Sequence, residues 1–300
     1  MKKFFAKLLF YILYGLSKLP MCVLYAFSRM VYVLAYHILR YRLKVVRANL
    51  LKAFPEKDDK ERRTIEKKFY KHLCDYIFET LKAISIPLDK LVQRMHFTNP
   101  ELITNYNKQG RSVFMYAAHM GNWEWYIVCH AHNKGAKMQT FYQPQSSEFV
   151  NYLTHYSRSR NNTTLIESQR GYRQIVESMR KGEITSTLII GDQSPHWGAQ
   201  KHWTTFFDIK TAFLVGPATI ARRTNQVLVY PSYVGYKRGH YTVEWKLITD
   251  DAQSLDTGVI IDRFAALLED DIRRIPELWL WTHRRWKHKY EDYANLRNNV

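Results

Sequence analysis

Three apolar, aromatic blocks open the chain, residues 8–17, 19–28 and 30–39, punctuated by Lys18, Arg29 and Arg40. This pattern predicts two helices, about 2–18 and 20–39, with Pro20 where a helix can start. No charge-free run reaches the roughly 18 residues of a spanning helix. Arg29 at a bilayer centre would cost about 2.5–3.5 kcal/mol. The expectation is two helices lying in or dipping into one leaflet, with Lys and Arg reaching back to anionic headgroups. Asp58 or Asp59 can cap a helix to about residue 85, where Pro87 stops it. Strands and helices then alternate. Residues 112–118 and 185–190 read as buried strands, and 138–142, 227–230 and 241–247 as strand-like. Residues 122–132, 147–160, 172–181, 215–223, 258–272 and 277–290 read as helices. The alternation predicts an α/β layer fold. No repeat or flexible linker divides the chain, so the expected parts are residues 1–42, membrane-associated helices, and 43–300, one catalytic domain.

Composition narrows the partners. The 45 Lys+Arg against 27 Asp+Glu give +18, which calls for an anionic partner: nucleic acid, an anionic membrane or an acidic protein. Ten of the basic residues precede Glu56, the first acidic one. A cleaved signal peptide fits poorly, because the apolar pattern continues past any reasonable cleavage point. Cys22, Cys74 and Cys129 are far apart and odd in number, which argues against a disulfide framework or a zinc site. No H-E-x-x-H and no nucleic-acid motif appears, so a metal-dependent hydrolase and a nucleic-acid-binding protein are disfavoured. A non-catalytic membrane scaffold is the remaining alternative.

Three stretches carry candidate chemistry. His119, in Ala118-His119-Met120-Gly121-Asn122-Trp123-Glu124, follows a buried strand, and Gly121-Asn122 opens a helix. A strand's carboxyl end points into the crevice where α/β proteins bind ligands. With Asn122 as helix cap, Glu124 sits in the first turn and can meet His119. Such a pair makes a general base: one ring nitrogen takes a hydroxyl proton, and a carboxylate holds the other. A second H-x4-E, His96 and Glu101, lacks a strong preceding strand and reads as a decoy. The second stretch is Gly191-Asp192-Gln193-Ser194, a strand breaking into a turn. Asp192 could support the histidine, bind a headgroup or brace the loop. The third, residues 276–287, interleaves Trp279, Trp281 and Trp286 with His283, Arg284 and Arg285, suiting a membrane interface, an anionic ligand or core packing. Arg158, Arg160 and Arg170 suit phosphate or carboxylate.

Together these stretches resemble the lipid A late acyltransferases, within the lysophospholipid acyltransferase group of bacterial inner-membrane enzymes. The similarity runs from Arg42-Leu43-Lys44-Val45-Val46-Arg47-Ala48-Asn49-Leu50 and Ala53-Phe54-Pro55-Glu56, through the His119 stretch, Asp192-Gln193 and Gly216-Pro217-Ala218, to Trp281-Thr282-His283-Arg284-Arg285-Trp286-Lys287. The resemblance implies a central mixed sheet flanked by helices, with an amino-terminal helical membrane anchor, on the cytoplasmic face of the bacterial inner membrane. It implies transfer of a fatty acyl chain from acyl-carrier protein, or acyl-CoA, to a hydroxyl of an anionic lipid acceptor. The thioester is a co-substrate; no cofactor, metal or nucleic acid is implied. His119 and Glu124 would be the catalytic pair, and Gly121, Asn122, Asp192, Gln193, Arg158 and Arg170 would bind substrate. Two positions depart from the family pattern. Gln143 stands where Arg often precedes Pro144, and Ser194 stands where a second Asp often follows Gln193. An aminolipid or lysophospholipid acceptor therefore stays open beside a lipid A precursor.

Overall fold

The computed structural model describes residues 2–132, 135–142, 156, 163–199 and 201–298. At its centre is a seven-stranded sheet. In chain order its strands are β1 (Met95–Phe97), β2 (Val113–Ala117), β3 (Lys137–Tyr142), β4 (Thr164–Glu167), β5 (Thr185–Ile190), β8 (Val227–Lys237) and β9 (His240–Thr249). Their spatial order is β1-β9-β8-β2-β5-β3-β4, and only the β8–β9 pair is antiparallel. The mixed α/β architecture expected from the sequence is thus present. Every residue of β2 is buried, as its unbroken apolar run requires of a central parallel strand.

The predicted helices 172–181, 215–223 and 258–272 are present as α8 (Gly171–Arg180), α9 (Gly216–Arg223) and α10 (Thr257–Arg274). The expected helix 147–160 lies outside the described residues apart from position 156. Two expectations are corrected. Residues 122–132 form a 3-10 turn, Trp123–Val128, and only then a short helix, α7 (Cys129–His132). Residues 277–290 are not a helix: after the turn Pro276–Leu278, Trp279 is extended and bridges to Met120. The Trp-x-Trp repeat there has the period of an extended segment, and Trp279, Trp281 and Trp286 are all buried. The membrane-interface reading of these aromatics therefore gives way to core packing. The hairpin β6 (Lys201–Phe206) and β7 (Ile209–Leu214) was not predicted. Its turn, Phe207-Asp208, has positive φ at both positions without the Gly or Asn that usually marks such a turn.

The amino-terminal helices are α1 (Lys2–Ser17) and α2 (Met21–Tyr32), the latter continued by a π-helical turn, Val33–Ile38. Residues Met21–Ile38 form one helix long and apolar enough to cross a membrane. After α3 (Leu43–Ala53), Asp58 and Glu61 cap α4 (Asp59–Ala83) reciprocally. The first helices dock on α4 through three buried carboxylates. Tyr36 donates to Glu66 at 2.7 Å, Ser28 to Asp75 at 2.5 Å and Tyr25 to Glu79 at 2.9 Å. Their other faces leave Ile12, Phe27, Met30 and Ile38 exposed.

Candidate active site

Sheet register builds the site. β2 and β5 are parallel neighbours, with Ala117 opposite Ile190. His119 and Asp192 each lie two residues beyond that pair, so adjacent strand ends deliver them side by side. The Gly191 N–H donates to Ala117 O at 3.0 Å, extending the ladder one step further. Gly191 must also be small, because a Cβ there would lie 2.4 Å from the Tyr116 ring.

Asp192 Oδ1 accepts from His119 Nδ1 at 2.7 Å and from the His119 backbone N–H at 3.0 Å. Its Oδ2 accepts from the Trp279 indole at 2.8 Å. Burial alone would push this carboxyl up. The imidazole's charge and the hydrogen bonds from His119 and Trp279 overcome it and hold Asp192 down to about 2. With the proton on Nδ1, His119 Nε2 keeps its lone pair. The Gln193 side-chain amide lies 3.3 Å from it and can donate there. The acid at Nδ1 is therefore Asp192, the place expected of Glu124. Glu124 stands in the first turn of Trp123–Val128 and lines the same cavity as His119.

That cavity holds about 660 Å³. Ile127, Met138, Leu188, Ile190, Leu214 and Ile220 give it an apolar wall, while His119, Glu124 and Gln193 supply polar groups. A pocket of this kind suits a mostly apolar ligand with one reactive polar end.

Gly121 and Asn122 do not line the cavity. Gly121 has φ +58°, and a Cβ would lie 2.3 Å from the Tyr233 ring, so only glycine fits. Its N–H donates to Leu278 O at 2.9 Å, and Leu280 N–H donates to His119 O at 3.0 Å. The backbone N–H groups of His119, Met120 and Gly121 are all committed inside the protein and so are not free to serve an oxyanion. Asn122 is buried and makes no side-chain cap; its amide donates to Glu79 at 2.9 Å. Arg170 is exposed at the start of α8, 4.0 Å from Glu167. Arg158 and Gln143 lie outside the described residues.

Three residues support the site in ways not read from the sequence, although Trp279 and His283 lie in its third candidate stretch. Trp279 reaches Asp192 across 87 positions. His283 Nε2 accepts the Ser194 N–H at 3.0 Å, bracing the Asp192 loop; burial pushes His283 down to about 4, which keeps that nitrogen an acceptor. Glu79 gathers Asn122, Tyr25 and the Tyr241 hydroxyl, and its backbone O accepts from the Trp125 indole. Only the spacing of His72, Asp75 and Glu79 along one face of α4 could have signalled this, and it reads equally well as a solvated face. Among the described residues no cluster of His, Cys, Asp and Glu could hold a metal.

A sequence profile of the bacterial lipid A biosynthesis acyltransferases matches residues 2–288. The chain belongs to that family. It is an acyltransferase. The lipid A biosynthesis lauroyltransferase of Escherichia coli (strain K12) is 23% identical over 291 residues, covering 93% of this chain and 90% of the relative. The lipid A biosynthesis palmitoleoyltransferase of the same organism is 23% identical over 276 residues, covering 90% and 87%. The lipid A biosynthesis acyltransferase of Haemophilus influenzae (strain ATCC 51907 / DSM 11121 / KW20 / Rd) is 25% identical over 203 residues, 65% of this chain and 61% of the relative. The match spans both the His119 and the Trp281–Trp286 stretches, so family and site geometry concern the same residues.

Proposed function

We propose that this acyltransferase moves a fatty acyl chain from acyl-carrier protein, or acyl-CoA, to a hydroxyl of a lipid A precursor. It would work at the cytoplasmic face of the bacterial inner membrane, held there by residues 1–42. The observation that carries the reaction is His119, held at Nδ1 by a buried ionised Asp192 with Nε2 facing an apolar cavity. Nε2 takes the acceptor's hydroxyl proton as the oxygen attacks the thioester carbonyl. The tetrahedral adduct collapses, the C–S bond breaks, and the imidazolium returns its proton to the departing thiolate. Asp192 stabilises the imidazolium and fixes the tautomer. Gln193, beside Nε2, is placed to yield its position to the substrate hydroxyl and donate to the developing oxyanion. Glu124 polarises or orients the acceptor from the cavity wall. Arg158 and Arg170 are assigned to the acceptor's phosphates. The basic surface suits the acidic carrier, and the relatives' names support the acceptor class.

The test is mass spectrometry of lipid products from detergent-purified protein given acyl-acyl-carrier protein. The acceptor panel is lipid A precursor, lysophospholipid and lyso-aminolipid. One added acyl mass on the lipid A precursor is the expected result; addition to another acceptor instead would overturn the acceptor. His119→Ala should lower the rate by about 10²–10⁴-fold, and a near-normal rate would remove His119 from its role.

A further inference from the structure

A second cleft of about 440 Å³ lies at the turn between α1 and α2, and it shares no lining residue with the acyl-transfer cavity. Lys18 comes from that turn, Lys82 from the last turn of α4, and Lys90 and Arg94 from the segment before β1. His240 and Gln93 complete its polar rim, and no carboxylate lines it. Among the described residues none of the four cations forms an ion pair. The fold thus gathers four positive charges from separate parts of the chain with no carboxylate lining the cleft to offset their repulsion.

We propose that this cleft binds the phosphate of an anionic phospholipid headgroup, at a site separate from acyl transfer. Lys82 Nζ spends two of its three N–H groups on Ser17 O and Leu19 O, both at 2.9 Å, which leaves one donor. Arg94 gives one N–H to Gly239 O and retains others. Burial, and then the neighbouring Arg94, push the Lys82 pKa down, a strain that a bound anion relieves. The setting favours a lipid over a free phosphate ester. The turn carrying Lys18 joins two helices whose outer faces expose Leu8, Ile12, Leu16, Val23, Phe27 and Met30. A headgroup in the cleft would let its acyl tails run along that surface. Four cations without a carboxylate also prefer a net anionic lipid to a zwitterionic one.

This inference rests on the membrane placement proposed above. Native mass spectrometry of the detergent-purified full chain, with dioleoyl phosphatidylglycerol, dioleoyl phosphatidylcholine or inorganic phosphate, tests it. One phosphatidylglycerol per chain should be retained in preference to phosphatidylcholine. Lys90→Gln with Arg94→Gln should weaken that retention on the order of tenfold or more. Equal retention of the two lipids, retention unchanged by the substitutions, or occupancy by inorganic phosphate alone would each overturn the site. If the double variant fails to fold, Lys90→Gln alone, at an exposed position of α5 (Leu88–Val92), carries the same comparison. Flotation on phosphatidylcholine vesicles with and without phosphatidylglycerol separates the two ideas: a chain that floats on neither faults the membrane placement, and one that floats but retains no phosphatidylglycerol in preference to phosphatidylcholine faults the cleft.

Discussion

Asp192 and Glu79 are both buried carboxyls joined to the His119 loop, yet their pKa values are shifted in opposite directions. Burial raises both. At Asp192 the imidazole beside it, which can carry charge, and three donated hydrogen bonds reverse the effect. At Glu79 the partners are neutral, namely two tyrosine hydroxyls and an amide, and nearby Asp75 adds repulsion, so Glu79 stays raised. Hydrogen-bond number alone does not set a buried carboxyl's charge; a charge-bearing partner does. The first acid is held ionised beside His119, and the second is a junction that ties the amino-terminal helices, the loop and the sheet together.

The largest expected effect is on Asp192. Asp192→Asn should keep the fold but allow the wrong His119 tautomer, lowering kcat by about 10²–10⁴-fold in the acyl-transfer assay. If kcat stays within a few-fold, Asp192 is merely structural. At Glu79 the loss should appear in stability. Glu79→Ala strands the buried Tyr241 and Asn122, each costing about 1–3 kcal/mol, and the half-buried Tyr25, whereas Glu79→Gln should cost about 1 kcal/mol in denaturant melts. Equal losses for the two variants would refute the role of Glu79 as a hydrogen-bonding junction.

Acidity sharpens the same contrast. Asp192 is depressed, so its stabilisation is present above its ordinary pKa near 3.8 and is lost as pH falls toward about 2. That contribution is on the order of 2 kcal/mol, and Asp192→Asn should flatten the acid limb of stability against pH. Glu79 is raised, so its contribution is full below its ordinary pKa near 4.5 and is lost as pH rises through the folded value. Glu79→Gln should therefore gain on the native protein as pH rises. The smallest effect is expected for Trp279→Phe, which removes one donor from Asp192 and should cost about 0.5–1.5 kcal/mol with a several-fold fall in kcat.

What the sequence revealed follows interaction range. The amino-terminal helices, β2, β5 and the His119 turn were legible because apolar periodicity and a strand-ending polar residue are local signals. Gly121 and Asn122 were noticed as parts of a motif, but their roles were misjudged. Only the approach of Tyr233 and Glu79 shows that they shape the loop from behind. The partner of His119 was the hardest case. Glu124 is five residues away and Asp192 is 73, and nothing local states that β2 and β5 are neighbours. The 279–286 segment misled for a related reason: it reads as part of a helix, whereas Trp279 is extended and bridges to Met120, turns follow, and Trp279, Trp281 and Trp286 are all buried.

The bond from the Trp279 indole to Asp192 also has a bearing on biosynthesis. A ribosome makes the apolar helices first and adds Trp279 and His283 more than 200 residues after Asn49, whose amide later holds the Trp281 and His283 carbonyls at 2.8 and 2.7 Å. Until those late residues emerge, Asp192 lacks its indole partner and the loop after it lacks its brace. A nascent chain can thus have its amino-terminal helices and both members of the His119–Asp192 pair complete while the loop that carries Asp192 is still unbraced.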